Sequence, residues 1–304
     1  MQKMYRIKDR EAVSNPDFYG GEPVWNTAER QGVKAATYFW VGSEAPVGGK
    51  HNSIWKVFDS SVPYNDRADS VVAWLSLPKE QRPHLVMWYI EEPDAIGHDA
   101  TPDSSAVIDK VEELDAVLAR FFSKVNKLDI APKIDFIVTS DHGMATFVPD
   151  KYVNLGDYLP RDSFKFVFDG VPTVLYPKPG YTDTAYEILK KVPNITVWKK
   201  DEGPARYQYG SNARIGDLIV LPDVGCMVQF RDKGKPWLGG AHGYDNFDPT
   251  MQAIFYASGP SFKKNVTHPS LPNISLYPLI CRLLKIKPAP NDADSVNLDG
   301  LLKK

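Results

Sequence analysis

Hydrophobic and polar positions alternate along this chain in two rhythms. Short apolar runs rich in β-branched and aromatic residues predict buried strands at residues 33–40, 85–90, 133–140 and 252–257. Helical spacing predicts helices at 22–32, 67–77, 102–128, 181–191 and 274–284. In the longest of these, Val107, Val111, Leu114, Val117, Leu118 and Phe121 form one apolar stripe. That helix joins the strand at 85–90 to the strand at 133–140. Strand, crossover helix and strand make a βαβ unit, so a parallel sheet is expected.

Between residues 150 and 235 the segments shorten, and prolines and aromatics become frequent. Strands are expected there at 171–176 and 215–221. Residues 1–32 read as loop before the first helix, and 45–66 as loop. The expected architecture is α/β: a mostly parallel sheet with helices on both faces (1–149 and 236–304) carrying a small α/β insert or cap (150–235).

Composition adds limits. A chain of 304 residues with 43% hydrophobic and 24% charged residues is that of an ordinary globular protein. A net charge of −2 gives no reason to expect tracking along nucleic acid. Cys226 and Cys281 are too few for a disulfide framework and lack CxxC spacing. No apolar stretch is long enough to span a bilayer, and Met1 to Arg10 has no signal-peptide core.

The chemistry concentrates where strands end. The strand at 133–140 runs into Asp141, His142 and Gly143; the strand at 85–90 is followed by Asp94 and His98, four apart; and His242 lies in a glycine-rich turn. Ligands of open α/β sheets bind at the carboxyl ends of strands. A helical turn would put Asp94 and His98 on one face. Each segment alone also reads as an ordinary turn with a capping carboxylate. Together they supply a mixed N/O set that suits zinc, with Asp94, His98 and His242 leaving an open position.

The ordered set PDAIGH, TSDHGM and GGAHGYDN resembles the nucleotide pyrophosphatase/phosphodiesterase family (type I phosphodiesterases) of the alkaline phosphatase superfamily. The flanks GEPVWNTAERQG, ATYFWVGSEA and NISLYPLICRLLKIKPAPNDA resemble it too. The resemblance implies hydrolysis of phosphodiester or pyrophosphate bonds in small nucleotide-type substrates at two zinc ions. Asp94, His98 and His242 would hold one ion, and Asp141 and His142 part of the other. The family completes the second site with an aspartate of its first strand and a threonine that is also the nucleophile, forming a phosphoryl-threonine. Tyr89, six residues before Ala95, would stack on the base or leaving group; otherwise it is a strand aromatic of the core. The family also points outside the cytoplasm.

One departure is large. The family's first strand with its Asp-Gly, and its Thr-Xaa-Xaa-Asn segment, lie upstream of GEPVW, where this chain has twenty residues and neither pattern. An N-terminally truncated chain without its nucleophile is therefore expected. Thr37, Ser43, Ser53 and Thr101 are the hydroxyls considered as substitutes, none in a strand-to-helix turn. Asp99-Ala100-Thr101-Pro102 also lacks the family's glycine before proline. Two other outcomes remain open: a phosphomonoesterase of the same superfamily, or a zinc-binding fragment that turns nothing over.

Overall fold

The computed structural model describes residues 4–231, 236–293, 298 and 300–303. In chain order come α1 (Arg10–Ser14), α2 (Val24–Arg30), β1 (Ala35–Tyr38), β2 (Ile54–Lys56), α3 (Tyr64–Leu75), β3 (Leu85–Trp88), α4 (Asp94–Ala100), α5 (Ser105–Val125) and β4 (Phe136–Thr139). Then follow β5 (Ala145–Thr146), β6 (Tyr152–Asn154), β7 (Phe164–Phe168), β8 (Thr173–Pro177), α6 (Thr182–Leu189), β9 (Ile195–Lys199), β10 (Leu218–Pro222) and β11 (Met227–Gln229). β12 (Gly240–Ala241), β13 (Phe255–Ser258) and α7 (Leu276–Leu284) complete the order.

The chain forms two compact units. One comprises Met1–Glu91, Glu112–Val138 and Tyr256–Lys304, the other Glu92–Val111 and Thr139–Phe255. The second is wider than the insert expected at 150–235 and includes the three segments that carry Asp94 and His98, Asp141 and His142, and His242.

In the first unit β1 is the middle strand of a parallel ladder, β2-β1-β3, with Ala36 opposite both Ile54 and Val86. All four residues of β1 are buried, as a doubly covered strand requires. The pleat sorts β3 by parity. Leu85 and Met87 face a cluster with Trp25 and Ala28 of α2 and Cys281 of α7. Val86 and Trp88 face a cluster with Val71 of α3 and Val117, Phe121 and Val125 of α5. Helices thus cover both faces, as expected. β4 pairs with β13.

Arg67 of α3 is 1% exposed, and each of its three guanidinium nitrogens donates a hydrogen bond. It donates to both carboxylate oxygens of Glu91 (2.5 and 2.9 Å) and to the Val62 carbonyl (2.8 Å). Its guanidinium also lies over the rings of Phe39 and Tyr64.

The second unit is built on an antiparallel sheet, β7-β8-β10-β9. Ala185 and Leu189 of α6 pack on its apolar face with Leu175, Leu218 and Val220. β5 pairs antiparallel with β12, and β6 parallel with β11.

Four corrections to the expected elements follow. Residues 45–66 are not all loop, because Ile-Trp-Lys of β2 pairs with β1; three residues carry no readable period. Residues 1–32 hold α1, whose one signal is the Asp9 carboxylate accepting from the N–H groups of Glu11 and Ala12. The insert contains β6, β7, β9 and β11 beside the two strands expected. The strand expected at 252–257 starts later, at Phe255. Both cysteines are buried free thiols.

Candidate metal centre

α4 begins directly after Pro93 and puts Asp94 in its first turn, where a carboxylate suits the positive helix end. Glu92 steadies this start by accepting from the Ile96 N–H (3.1 Å). One turn later His98 lies on the same face, and its Nε2 is 3.5 Å from Asp94 Oδ1. The helix ends at Thr101, whose φ is +74°.

His242 arrives from the far side in sequence. β12 delivers it so that its Nε2 also lies 3.5 Å from Asp94 Oδ1. That oxygen is buried and has no hydrogen-bond partner, although the Asp94 side chain as a whole is 44% exposed. A buried carboxylate oxygen without a donor is costly. Four ligands set tetrahedrally about 2.0–2.1 Å from zinc would stand about 3.4 Å apart. The two 3.5 Å separations match that spacing, and donor atoms of all three residues lie within 4.8 Å of one another.

The ring of His98 is held from behind. Its Nδ1–H donates to the Gly240 carbonyl (2.8 Å), which leaves the Nε2 lone pair facing Asp94. Metal-ligating histidines are characteristically oriented by such a second hydrogen bond. Burial is the main influence that pushes His242 below the usual imidazole value; neighbouring His142 adds to it and Asp94 opposes it. A neutral His242 is the form that can ligate a cation.

Asp141 and His142 follow β4 as the sequence predicts. The Gly143 N–H donates to the Met251 carbonyl (3.1 Å), and no side chain could fit between Gly143 and the Thr250 carbonyl. His142 Nδ1–H donates to the Gly143 carbonyl (2.8 Å), and its Nε2 is 3.5 Å from Asp141 Oδ2. The His142 ring stacks on that of His242, whereas Asp141 is 78% exposed and outside the three-residue cluster. The structure therefore gathers Asp94, His98 and His242 into one site, with the His142 ring stacked on His242 and Asp141 exposed beside His142.

Tyr89 belongs to the first unit, half-buried against the cluster that includes Phe121, with its backbone N–H donating to the Tyr38 carbonyl (2.9 Å). Of the hydroxyls considered, Thr37 is buried and donates to Asn52 (3.2 Å), and Ser43 donates to the Trp40 carbonyl (2.7 Å). The sequence reading missed the Gly240 carbonyl, since no side-chain motif marks a backbone acceptor. It also missed Arg206, which donates to both carboxylate oxygens of Asp245 (2.7 and 2.6 Å) and holds that carboxyl at about 2.

Residues 1–245 match the family model described as type I phosphodiesterase / nucleotide pyrophosphatase. A venom phosphodiesterase of Crotalus durissus collilineatus is 37% identical over 95% of this chain and 36% of its own length. Ectonucleotide pyrophosphatase/phosphodiesterase family member 3 of Rattus norvegicus is 34% identical over 95% of this chain and 34% of its own. The chain thus spans about a third of the length of these relatives. Murine ectonucleotide pyrophosphatase/phosphodiesterase 5 superposes with a TM-score of 0.91 at 29% identity, covering 97% of this chain and 79% of that one. The same fit holds for an inactive threonine-to-alanine variant of that protein in complex with AMP.

Proposed function

This chain belongs to the type I phosphodiesterase / nucleotide pyrophosphatase family, and from that premise we propose that it carries zinc-dependent hydrolysis of phosphodiester or pyrophosphate bonds in nucleotide-type substrates. The observation that carries the reading is the buried, partnerless Oδ1 of Asp94, 3.5 Å from Nε2 of both His98 and His242. Those three residues hold one zinc ion. Asp141 and His142 contribute to a second.

Bound zinc would neutralise charge on the phosphoryl oxygens and lower the pKa of a bound hydroxyl or water. The chain's own part is preorganisation. α4 fixes Asp94 relative to His98, the Gly240 carbonyl fixes the His98 tautomer, and burial keeps His242 neutral. Half-exposed Asp94 and His98 leave a side open to substrate. Tyr89 stacks on the base or leaving group. The nucleotide reading is supported by the AMP complex of the murine relative, and a threonine route by that relative's inactive variant. Our reading assigns no nucleophile to a residue of this chain: Thr37 and Ser43 are committed elsewhere, and Ser53, just before β2, and Thr101, at the end of α4, lie in no strand-to-helix turn. A location outside the cytoplasm is supported by the venom and ectoenzyme relatives. Among the described residues no helix is long and apolar enough to cross a membrane.

The test pairs zinc titration with hydrolysis of bis- and mono-p-nitrophenyl phosphate. We expect tight zinc binding that Asp94→Asn weakens at least about 100-fold, and faster cleavage of the diester. Faster cleavage of the monoester would replace the reading by a phosphomonoesterase. Zinc binding without turnover would reduce it to a metal-binding chain, and no zinc binding would overturn it.

A further inference from the structure

Asp94 and His98 share a helix, so their separation is set locally. His242 reaches the same point only if β12 lies at the right distance from α4. Three residues meet where the two elements approach.

A Cβ added to Gly97 of α4 would lie 2.7 Å from the Met144 sulphur. A Cβ added to Gly240 of β12 would also lie 2.7 Å from that sulphur, and 2.6 Å from the Gly97 carbonyl oxygen. The thioether therefore rests on two bare backbones at once. Gly97 immediately precedes His98, Gly240 lies two residues before His242, and Met144 lies two residues after His142. Met144 also leads directly into β5, whose Ala145 and Thr146 pair with Ala241 and Gly240. One flexible, polarizable side chain thus touches both ligand-bearing elements from a third.

We propose that Met144 is a positioning residue of the metal centre: its thioether sets the gap between α4 and β12, and with it the approach of His242 to Asp94. The inference rests on the zinc reading of Asp94, His98 and His242. Leucine nearly conserves the volume of methionine, whereas alanine leaves a void that lets the two elements drift. The collision at Gly97 supplies a second test. Gly97→Ala pushes a methyl into the sulphur, and Met144→Ala removes the atom it meets.

The experiment measures zinc affinity by competition with a chromophoric chelator, and the melting temperature of the chelator-treated protein, for wild type, Met144→Leu, Met144→Ala, Gly97→Ala and the Gly97→Ala/Met144→Ala pair. Asp94→Asn serves as the control for the site itself. We expect Met144→Ala to weaken zinc binding about 10- to 100-fold, the range for residues that orient ligands. Met144→Leu should stay within about threefold of wild type. The double variant should bind zinc more tightly than Gly97→Ala alone, a non-additivity that packing elsewhere would not produce. If Met144→Ala lowers the melting temperature but leaves zinc affinity at the wild-type value, Met144 only fills space and the inference falls. If wild type binds zinc no better than Asp94→Asn, the zinc reading falls first and takes this one with it.

Discussion

The imidazole of His142 lies parallel to that of His242, with ring centroids 3.5 Å apart and planes 14° from parallel. It brings the end of β4 into direct contact with the residue that β12 delivers. Burial first, and then the neighbouring His142 ring, lower the affinity of His242 for a proton.

Acid should therefore destabilise the metal-free protein through His242. An unfolded histidine titrates near about 6.5, and folded His242 titrates below that. Between the two values the unfolded chain binds more protons than the folded one, so stability falls as pH drops through the window. Thermal melts in chelator at pH 8 and pH 5.5 should lose more for wild type than for His242→Gln. Equal losses would show that His242 is not the group responsible.

Arg67 offers a stability test remote from any metal. Arg67→Ala strands the Glu91 carboxylate and removes the cation from between Phe39 and Tyr64. Breaking a buried pair from one side costs about 3 kcal/mol or more. Denaturant titration should show a loss of that order, and a change within about 0.5 kcal/mol, typical of a surface site, would contradict the buried network.

The thiols should be silent in the native protein. Cys226 and Cys281 are both 0% exposed, and burial pushes Cys226 up to about 11. At pH 8 a disulfide reagent should label neither residue in the folded chain and both in guanidinium. Rapid labelling of the folded chain would place a cysteine at the surface.

Strand edges make a fourth case. Among the described residues β3 pairs with β1 and β4 with β13, and each keeps one edge without a neighbour. Phe121 of α5 touches Trp88 of β3 (5.5 Å) and Phe136 of β4 (6.3 Å), so one helix residue packs on both strands. Open edges in an apolar setting invite pairing between molecules. Light scattering after gel filtration should show concentration-dependent association. A monodisperse monomer that melts cooperatively would count against it.

Much of this was legible in the chain. The strands β1 and β3 and the long α5 carry readable patterns, although β4 pairs with β13 and not in the ladder that holds β3, as a βαβ unit would require. Asp94 and His98 share one helical turn, which their spacing of four allowed but did not require. What was illegible was set by contacts distant in sequence. β2 exists through pairing with β1, not through its three residues. The strands of the insert alternate over only three to five positions, too few for a period to stand out. The roles of the Gly240 carbonyl and the Met144 sulphur are invisible until α4 and β12 lie side by side.

The antiparallel sheet of the second unit lies wholly between Phe164 and Pro222, after Asp94 and before His242. During synthesis the chain emerges from its N-terminus, and domains fold as units while it does. A nascent chain halted just short of residue 242 would carry Asp94 and His98 without His242. If Asp94, His98 and His242 hold a metal as proposed, the cluster is complete only late in synthesis, after most of the polypeptide has been made.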